Sequence, residues 1–518
     1  MKAESLGMAC VRGLSRRATR VVLVDGGMGG RQLKAGLLLG AGLALARRIK
    51  REETGSRVGI VLPPGAGGAI ANLACVLAGK TPVNLNFTSG RAASDSAIRQ
   101  SGLKTVITAR AMEEKLGEHF PAADRKLDLG NMLQEGKPEV LAWSILALIL
   151  PTGLLAQLAG VSREGGDREA GLLFTSGSTG EPKGVVLTHR NILSNLTQIE
   201  GVLGDLKLGS VLGCLPLFHS FGFTVTLWWP LTGGPKVVTY PSPLDPQALG
   251  AVIAEHAVDL VVTTPTFLRT LMRRAGQEKL GKLRMVVTGA EKLPDSLRRE
   301  FEQKIGVKVY EGYGMTEGSP VLAVNRPGAQ KEGTVGRPVR GVEIRTVEEE
   351  TGKVLLPGEA GILEFRGPNI FPGYLERPDL TEKVLRDGWY HSADFGRVDA
   401  DGFLTIEGRR ARFSKIGGEM VPHGLVEEHL LAWLKSKGVF HEGLQELMVT
   451  SVEDSKKGES LVVLHSCPIN PTEAEKALRD AGVPNLWIPK KFIQVKAVPI
   501  LASGKLDLAA GRKMAQNE

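Results

Sequence analysis

Residues 172–187 read LLFTSGSTGEPKGVVL. Leu172, Leu173 and Phe174 form one apolar run with strand character, and Val185, Val186 and Leu187 form a second. Between the runs lie three glycines, four hydroxyl residues (Thr175, Ser176, Ser178, Thr179) and Lys183. Glycines such as Gly177 and Gly180 let the backbone turn its N–H groups inward, and the hydroxyls add donors. Lys183 supplies a point charge for β- and γ-phosphates. A Walker loop needs Gly immediately before its lysine and Ser or Thr after it; here those positions are Pro182 and Gly184. The stretch therefore reads as a phosphate loop of another kind, leading into a strand instead of opening a helix. Its bland alternative is a Ser/Gly hairpin, against which the lysine and the flanking strands weigh.

Outward from this loop the chain reads as α/β. The runs RVGIVL (57–62), DLVVTT (259–264), LRMVVT (283–288) and VKVY (307–310) each end in glycine or proline, or in Glu311-Gly312, and helical segments follow. Apolar strands alternating with helices imply mostly parallel sheets, with ligands at the carboxyl ends of the strands. From Gly333 to Thr405 short strands and many Gly turns predict a small β-rich subdomain. Past Gly408 the chain becomes charged and helix-rich, with residues 425–434 amphipathic. The best single cut lies near 408, giving a domain of residues 1–407 and another of 408–518. A chain of 518 residues accommodates two or three domains.

The bulk numbers narrow the function. Apolar residues make up 42% of the chain, enough for a sizeable core. Cys10, Cys75, Cys214 and Cys467 are scattered, which argues against disulfides or a zinc site and suits a reducing, cytoplasmic setting. The net charge of +9 favours anionic partners, but no zinc finger, RNP-like segment or long basic run points to nucleic acid. The basic N-terminus has no apolar region that would make it a signal peptide. Residues 140–161 carry no charge and are nominally long enough to span a bilayer, but Pro151 and Gly153 interrupt them. Two short helices, buried or lying on the surface, are expected there, and peripheral membrane contact stays open.

Further motifs follow the loop in order, and together they resemble the adenylate-forming superfamily of acyl-CoA synthetases, peptide-synthetase adenylation domains and luciferases. The resemblance implies that enzyme fold: a large N-terminal domain of mostly parallel sheets with a small β-rich subdomain, and a small mobile α+β C-terminal domain. It also implies ATP and Mg²⁺. Within YEGYGMTE (310–317) it sets Glu311, Gly312 and Tyr313 against adenine, Thr316 at phosphate and Glu317 as the Mg²⁺ ligand. A hard oxygen ligand shared with phosphate oxygens is what Mg²⁺ needs. GAEKL (289–293) resembles the segment facing adenine and the acyl pocket, through Gly289, Ala290 and Glu291. GWYHSAD (388–394) resembles the ribose motif, with Asp394 accepting from the hydroxyls, although Ala393 stands where glycine is common. Arg409 matches an arginine near ribose and phosphate. Ala411-Arg412 replaces the usual hinge Lys-Asp, which leaves the hinge residue undecided. ILASGKLD (500–507) resembles the closing motif, in which Lys505 bridges the substrate carboxylate and the α-phosphate as the acyl–phosphate bond forms.

The resemblance also places PLFHSFGF (216–223) beside the acyl pocket, with His219 bordering the path of the incoming thiol. Phe221, Phe223, Val225, Leu227 and Trp228 make an apolar neighbourhood with no aspartate to hold an amine, which favours a fatty acid substrate. FSKIGGEMV (413–421), SKKGES (455–460) and AGVPNLWIP (481–489) resemble one branch, the acyl-[acyl-carrier-protein] synthetase part of bifunctional 2-acylglycerophosphoethanolamine acyltransferases. No NHxSxxD-like stretch occurs, so transfer to a lysolipid is not expected of this chain alone. The expected activity is ATP-dependent formation of acyl-AMP and then of an acyl thioester on a phosphopantetheine thiol, of acyl carrier protein by preference or of CoA. The alternatives are a long-chain fatty acid–CoA ligase and a non-catalytic lipid-binding relative. Intact Lys183, Glu317, Asp394 and Lys505 speak against the latter.

Overall fold

The two apolar runs pair as neighbouring strands. In the computed structural model Glu169–Thr175 and Lys183–Thr188 pair antiparallel, and Thr175 faces Lys183 in the last rung. The model describes residues 4–53, 55–175, 181–409, 412–416, 419–439, 446–454, 458–500 and 506–517; the side chains of Arg409, Lys415, Glu419 and Met420 lie outside that description. Leu172, Leu173, Val185 and Leu187 are buried, as runs without a polar face require.

This hairpin is one edge of a six-stranded sheet. Its other strands are Thr81–Asn84, Arg57–Ile60, Thr105–Thr108 and Arg125–Asp128, and every pair but the hairpin is parallel. A nine-stranded sheet holds a parallel centre of Val309–Gly314, Met285–Thr288, Leu260–Thr263, Ser210–Gly213, Lys236–Thr239 and Val21–Asp25. Antiparallel strands close both of its edges. The four runs read as strands from the sequence are all strands here, and the first two are followed by the helices Ala66–Leu77 and Pro265–Arg274. Asp25, buried at the end of its strand, accepts the Ala66 N–H at 2.7 Å and so fastens the first of those helices to the other sheet.

A third sheet, antiparallel, contains Glu343–Val347, Gly361–Arg366, Leu385–Arg386, Trp389–Val398 and Leu404–Arg409. This is the β-rich subdomain expected from the glycine turns. Three buried amides on helix His189–Leu203, which directly follows the hairpin, tie the sheets together. Asn191 donates to the carbonyls of Pro368 and Ile370 at 3.0 and 2.7 Å, Asn195 to Val321 O at 2.8 Å, and Gln198 to Arg340 O at 2.9 Å.

The C-terminal part is a mixed sheet with helices, not the helix-rich segment that its charge suggests. Leu447–Asp454 and Gly458–His465 form a long antiparallel pair, extended by Phe413–Ile416, Glu419–Pro422 and Lys491–Gln494. The apolar cores of these strands are bracketed by charges, which masks them in a reading of charge density. Helix His423–Ser436 is amphipathic as expected, burying His423, Val426, Leu430 and Leu434.

Residues 140–161 form two helices, Lys137–Ile149 and Thr152–Leu158, broken at Pro151. No described helix is long and apolar enough to cross a membrane. The first of the two lies against helix Ala35–Glu52 at a glycine. A Cβ on Gly40 would clash with the Ser144 hydroxyl and come within 2.7 Å of Val140 O. Gly40→Ala is expected to destabilise the protein by about 1–3 kcal/mol through overpacking, read as a lower denaturant midpoint; an unchanged midpoint refutes the close approach.

Candidate active site

The hairpin strand Lys183–Thr188 is bonded along its outer edge by residues 373–375, which lie between strand Gly361–Arg366 and helix Pro378–Val384. Leu375 N–H donates to Gly184 O at 2.8 Å, and Val186 N–H to Gly373 O at 3.3 Å. Tyr374, between those two rungs, lies with its ring centre 5.7 Å from Lys183 Nζ. Its hydroxyl donates to Glu317 Oε1 at 2.8 Å. The rings of Tyr374 and Tyr390 both pack edge-on against Phe371. Burial first, and then the Glu317 charge, push both tyrosine hydroxyls well above their ordinary range, so they remain donors. Phe371 N–H holds the Glu317 carbonyl at 2.9 Å. Thr316 Oγ1 donates to Ser220 Oγ at 3.3 Å, one residue from the exposed His219, whose ring centre is 5.0 Å from that of Phe218.

A second group of residues stands at the carboxyl ends of two adjacent parallel strands, Met285–Thr288 and Val309–Gly314, where open α/β sheets place ligands. Gly289 and Gly312 allow their backbones to approach: a Cβ on Gly289 would sit 3.2 Å from Gly312 O. Ala290 takes a left-handed conformation with φ +67°, turning the chain so that the exposed Glu291 reaches Thr266. The Thr266 hydroxyl and N–H donate to Glu291 Oε2 at 2.6 and 3.2 Å. Glu311 accepts the Leu293 N–H at 3.0 Å, pinning the 289–293 segment. Burial pushes the Glu311 carboxyl up to about 7, opposed in part by that N–H.

The third contribution comes from the antiparallel sheet. Tyr313 stacks on Phe365 with ring centres 5.7 Å apart, and its hydroxyl donates to the Asp394 carboxylate. Asp394 lies directly across the ladder from Arg409. The expected phosphate residues (Lys183, Thr316, Glu317) and nucleoside residues (Gly289, Gly312, Tyr313, Asp394) thus form two linked clusters, joined by the chain from Tyr313 to Glu317. Thr175 ends its strand at the base of the first cluster. Ser176, Gly177, Ser178, Thr179, Gly180 and Lys505 lie outside the described residues, as does the Arg409 side chain.

Of the apolar set expected near the acyl group, Phe223, Val225, Leu227 and Trp228 are core residues, 0–3% exposed on the π-helical stretch Gly222–Trp228. Phe223 instead fills the space above Gly171. Phe221 reaches the 289–293 segment, 3.8 Å from where a Gly289 Cβ would lie. The sequence reading missed Tyr374, Tyr390 and Ser220. Ser220 and Tyr390 stand inside the PLFHSFGF and GWYHSAD motifs without being singled out there, and the turn-like Pro372-Gly373 before Tyr374 points to a turn without naming its tyrosine's partner. Among the described residues no group of three or more His, Cys, Asp and Glu side chains gathers as a metal-binding cage.

A family model described as AMP-binding enzyme matches residues 16–375. The chain is 33% identical to a long-chain-fatty-acid–CoA ligase of Bacillus subtilis over 343 residues, 65% of this chain and 60% of that protein. It is 31% identical to a feruloyl-CoA synthase of Amycolatopsis over 485 residues, 89% of this chain and 91% of that protein. Its fold matches that of the o-succinylbenzoate CoA synthetase of Bacillus subtilis, solved with its acyl-adenylate intermediate, with a TM-score of 0.78 and 26% identity over 96% of this chain and 97% of that one. The chain belongs to the AMP-binding enzyme family, within the adenylate-forming superfamily.

Proposed function

We propose that this AMP-forming acid–thiol ligase activates a fatty acid. A carboxylate oxygen attacks the α-phosphate of ATP, the α–β phosphoanhydride bond breaks, and pyrophosphate leaves with acyl-AMP formed. A phosphopantetheine thiol then loses its proton and its sulfur attacks the acyl carbon, releasing AMP. The observation that carries this reading is the pair of linked clusters, one gathering residues expected at a triphosphate and the other residues expected at a nucleoside.

In this reading Lys183, with the donors of residues 175–180, binds the phosphates that leave. Glu317 would hold Mg²⁺, and its orienting bond from Tyr374 suits a cation that takes few protein ligands. Bound there, the ion neutralises phosphate charge. Tyr313 and Gly312 face adenine, Asp394 takes the ribose hydroxyls, and Arg409 across the ladder approaches them. Lys505 stabilises charge on the α-phosphate during attack, and positioning supplies much of the rest. The C-terminal domain then turns to admit the thiol past His219. Arg412 bonds Glu427 and Val449 O within that domain, which favours a pivot between residues 409 and 412.

Coenzyme A is the acceptor the relatives' names carry, and it is the first to test. Preference for acyl carrier protein rests on the likeness of residues 413–421, 455–460 and 481–489. Any lipid contact is peripheral. The acid is open to one specific competitor, because the relative matched over most of its length makes feruloyl-CoA.

The decisive measurement is acid-dependent ATP–pyrophosphate exchange with fatty acids of several lengths and with ferulate, followed by CoA and acyl carrier protein as acceptors. Exchange with a fatty acid and thioester formation on CoA are expected. Exchange with ferulate alone reassigns the acid, and no exchange with any acid sinks the reading. Lys505→Ala is expected to lower exchange by at least about a hundredfold with ATP binding retained; an unaffected rate refutes its role.

Glu311 yields a separate test. In the fold it holds its proton until about pH 7, whereas the unfolded chain ionises it near 4.5. Its contribution to stability is therefore intact below about 4.5 and is lost as pH rises through 7. Glu311→Gln keeps an acceptor for the Leu293 N–H and has no charge to bury. The variant should gain about 3 kcal/mol over wild type at pH 8 and nothing at pH 4; equal melting at both pH values overturns the assignment.

A further inference from the structure

Among the described residues, six of the twelve large apolar side chains left exposed sit on the two helices 137–149 and 152–158. The first buries Trp143, Ser144 and Ala147 and turns Leu141, Ile145, Leu148 and Ile149 outward. The second buries Leu155 and Ala156 and turns Leu154 and Leu158 outward. Outward positions at 141, 145 and 148, and at 154 and 158, recur at helical spacing, so each set forms one face. No charged residue occurs from 140 to 162. Scattered apolar side chains on a surface need no explanation, but a contiguous set on adjoining helices marks an interaction site.

The face is held rigidly. Gly40 brings helix Ala35–Glu52 against Val140 and Ser144, and Ser15 Oγ meets Thr152 Oγ1 at 2.8 Å. Its margin carries cations fixed by their own contacts. Lys50 Nζ donates to Gly160 O at 2.8 Å, just past the second helix. Arg163 donates to Gly153 O at 3.2 Å, and the Arg47 guanidinium lies 5.6 Å from the Trp143 ring centre. The acids at the margin are Glu135, which Arg48 neutralises at 2.6 Å, Glu139 on the first helical turn, and Glu164.

We propose that this face docks the enzyme on an anionic lipid surface. The two helices lie in the plane of the interface, with the six apolar side chains among the acyl chains and Arg47, Lys50 and Arg163 among the phosphates. Thirteen and seven residues are each too short to span a bilayer, which takes about 20. An uncharged helical face with a cationic margin is what an in-plane element requires. The chain's net charge of +9 acts in the same direction. The proposal stands on the helices and their margin, independently of which acid is activated.

The test is flotation of the full chain with phosphatidylcholine vesicles, either pure or with about a third phosphatidylglycerol. The chain should float with the anionic vesicles, less so as salt rises. Ile145→Glu with Leu148→Glu should lower partitioning by about tenfold or more. Lys50→Gln with Arg163→Gln should lower it about fivefold per cation on anionic vesicles and hardly at all on neutral ones. Because all these positions are at the surface, melting temperature and lipid-free ATP–pyrophosphate exchange should match wild type. That exchange reads the proposed activity separately from docking. Wild type that stays behind at every composition, or a double-Glu variant that floats as well as wild type, overturns the proposal. So does a lipid-free dimer that the double-Glu variant converts to monomer, which would make the face a contact between two copies.

Discussion

The two backbone hydrogen bonds that join Gly184 and Val186 to Leu375 and Gly373 set the geometry of everything around them. Lys183–Thr188 ends its sheet, and an edge strand there exposes N–H and C=O groups that need partners. The connecting segment 373–375, which follows a strand of the antiparallel sheet, supplies them, and Tyr374 lies between the two rungs. Its ring is then set beside Lys183 and its hydroxyl against Glu317, which belongs to the turn after a strand of the nine-stranded sheet. Residues about 60 and 190 positions from Tyr374 along the chain meet because one sheet edge is covered.

The helix after the hairpin reinforces the same arrangement. Asn191, Asn195 and Gln198 stand where apolar side chains would ordinarily pack, and each is buried and bonded to a carbonyl beyond its own helix. A buried amide costs stability when left unpaired, so these three tolerate one placement of the Pro368, Val321 and Arg340 segments and penalise others. The Thr188–Asn191 capping box fixes where that helix begins. The hairpin, the strand bearing Tyr313, and the sheet bearing Asp394 are consequently held in one register.

The parallel strands were legible in the sequence because each is an uninterrupted apolar run stopped by glycine or proline, a pattern that only burial on both faces produces. The two strands flanking the loop, Glu169–Thr175 and Lys183–Thr188, were legible for the same reason. Tyr374 was not, since its role comes from pairing across sheets and nothing near it in sequence encodes that partner. Phe223 and Trp228 show a different limit. An apolar residue reads the same whether it lines a pocket or fills a core, and the π-helical stretch buries both. The C-terminal strands were obscured by charges at their ends, which mark exposed termini and say little of the Leu461-Val-Val-Leu464 interior.

The carboxyl groups around the site obey a common rule. Glu291 is bonded by Thr266, Glu311 by the Leu293 N–H, Glu317 by Tyr374 and Asp394 by Tyr313. A polyanionic substrate repels bare carboxylates, and repulsion strengthens where water is displaced. Each acid is therefore given a donor, and desolvation also raises the proton affinity of Glu311. Only Glu317 is placed in the cluster with Lys183, through a tyrosine whose raised proton affinity keeps it donating. The site concentrates acid where a cation can balance it and masks acid elsewhere, an arrangement suited to a triphosphate at one end and an uncharged base at the other.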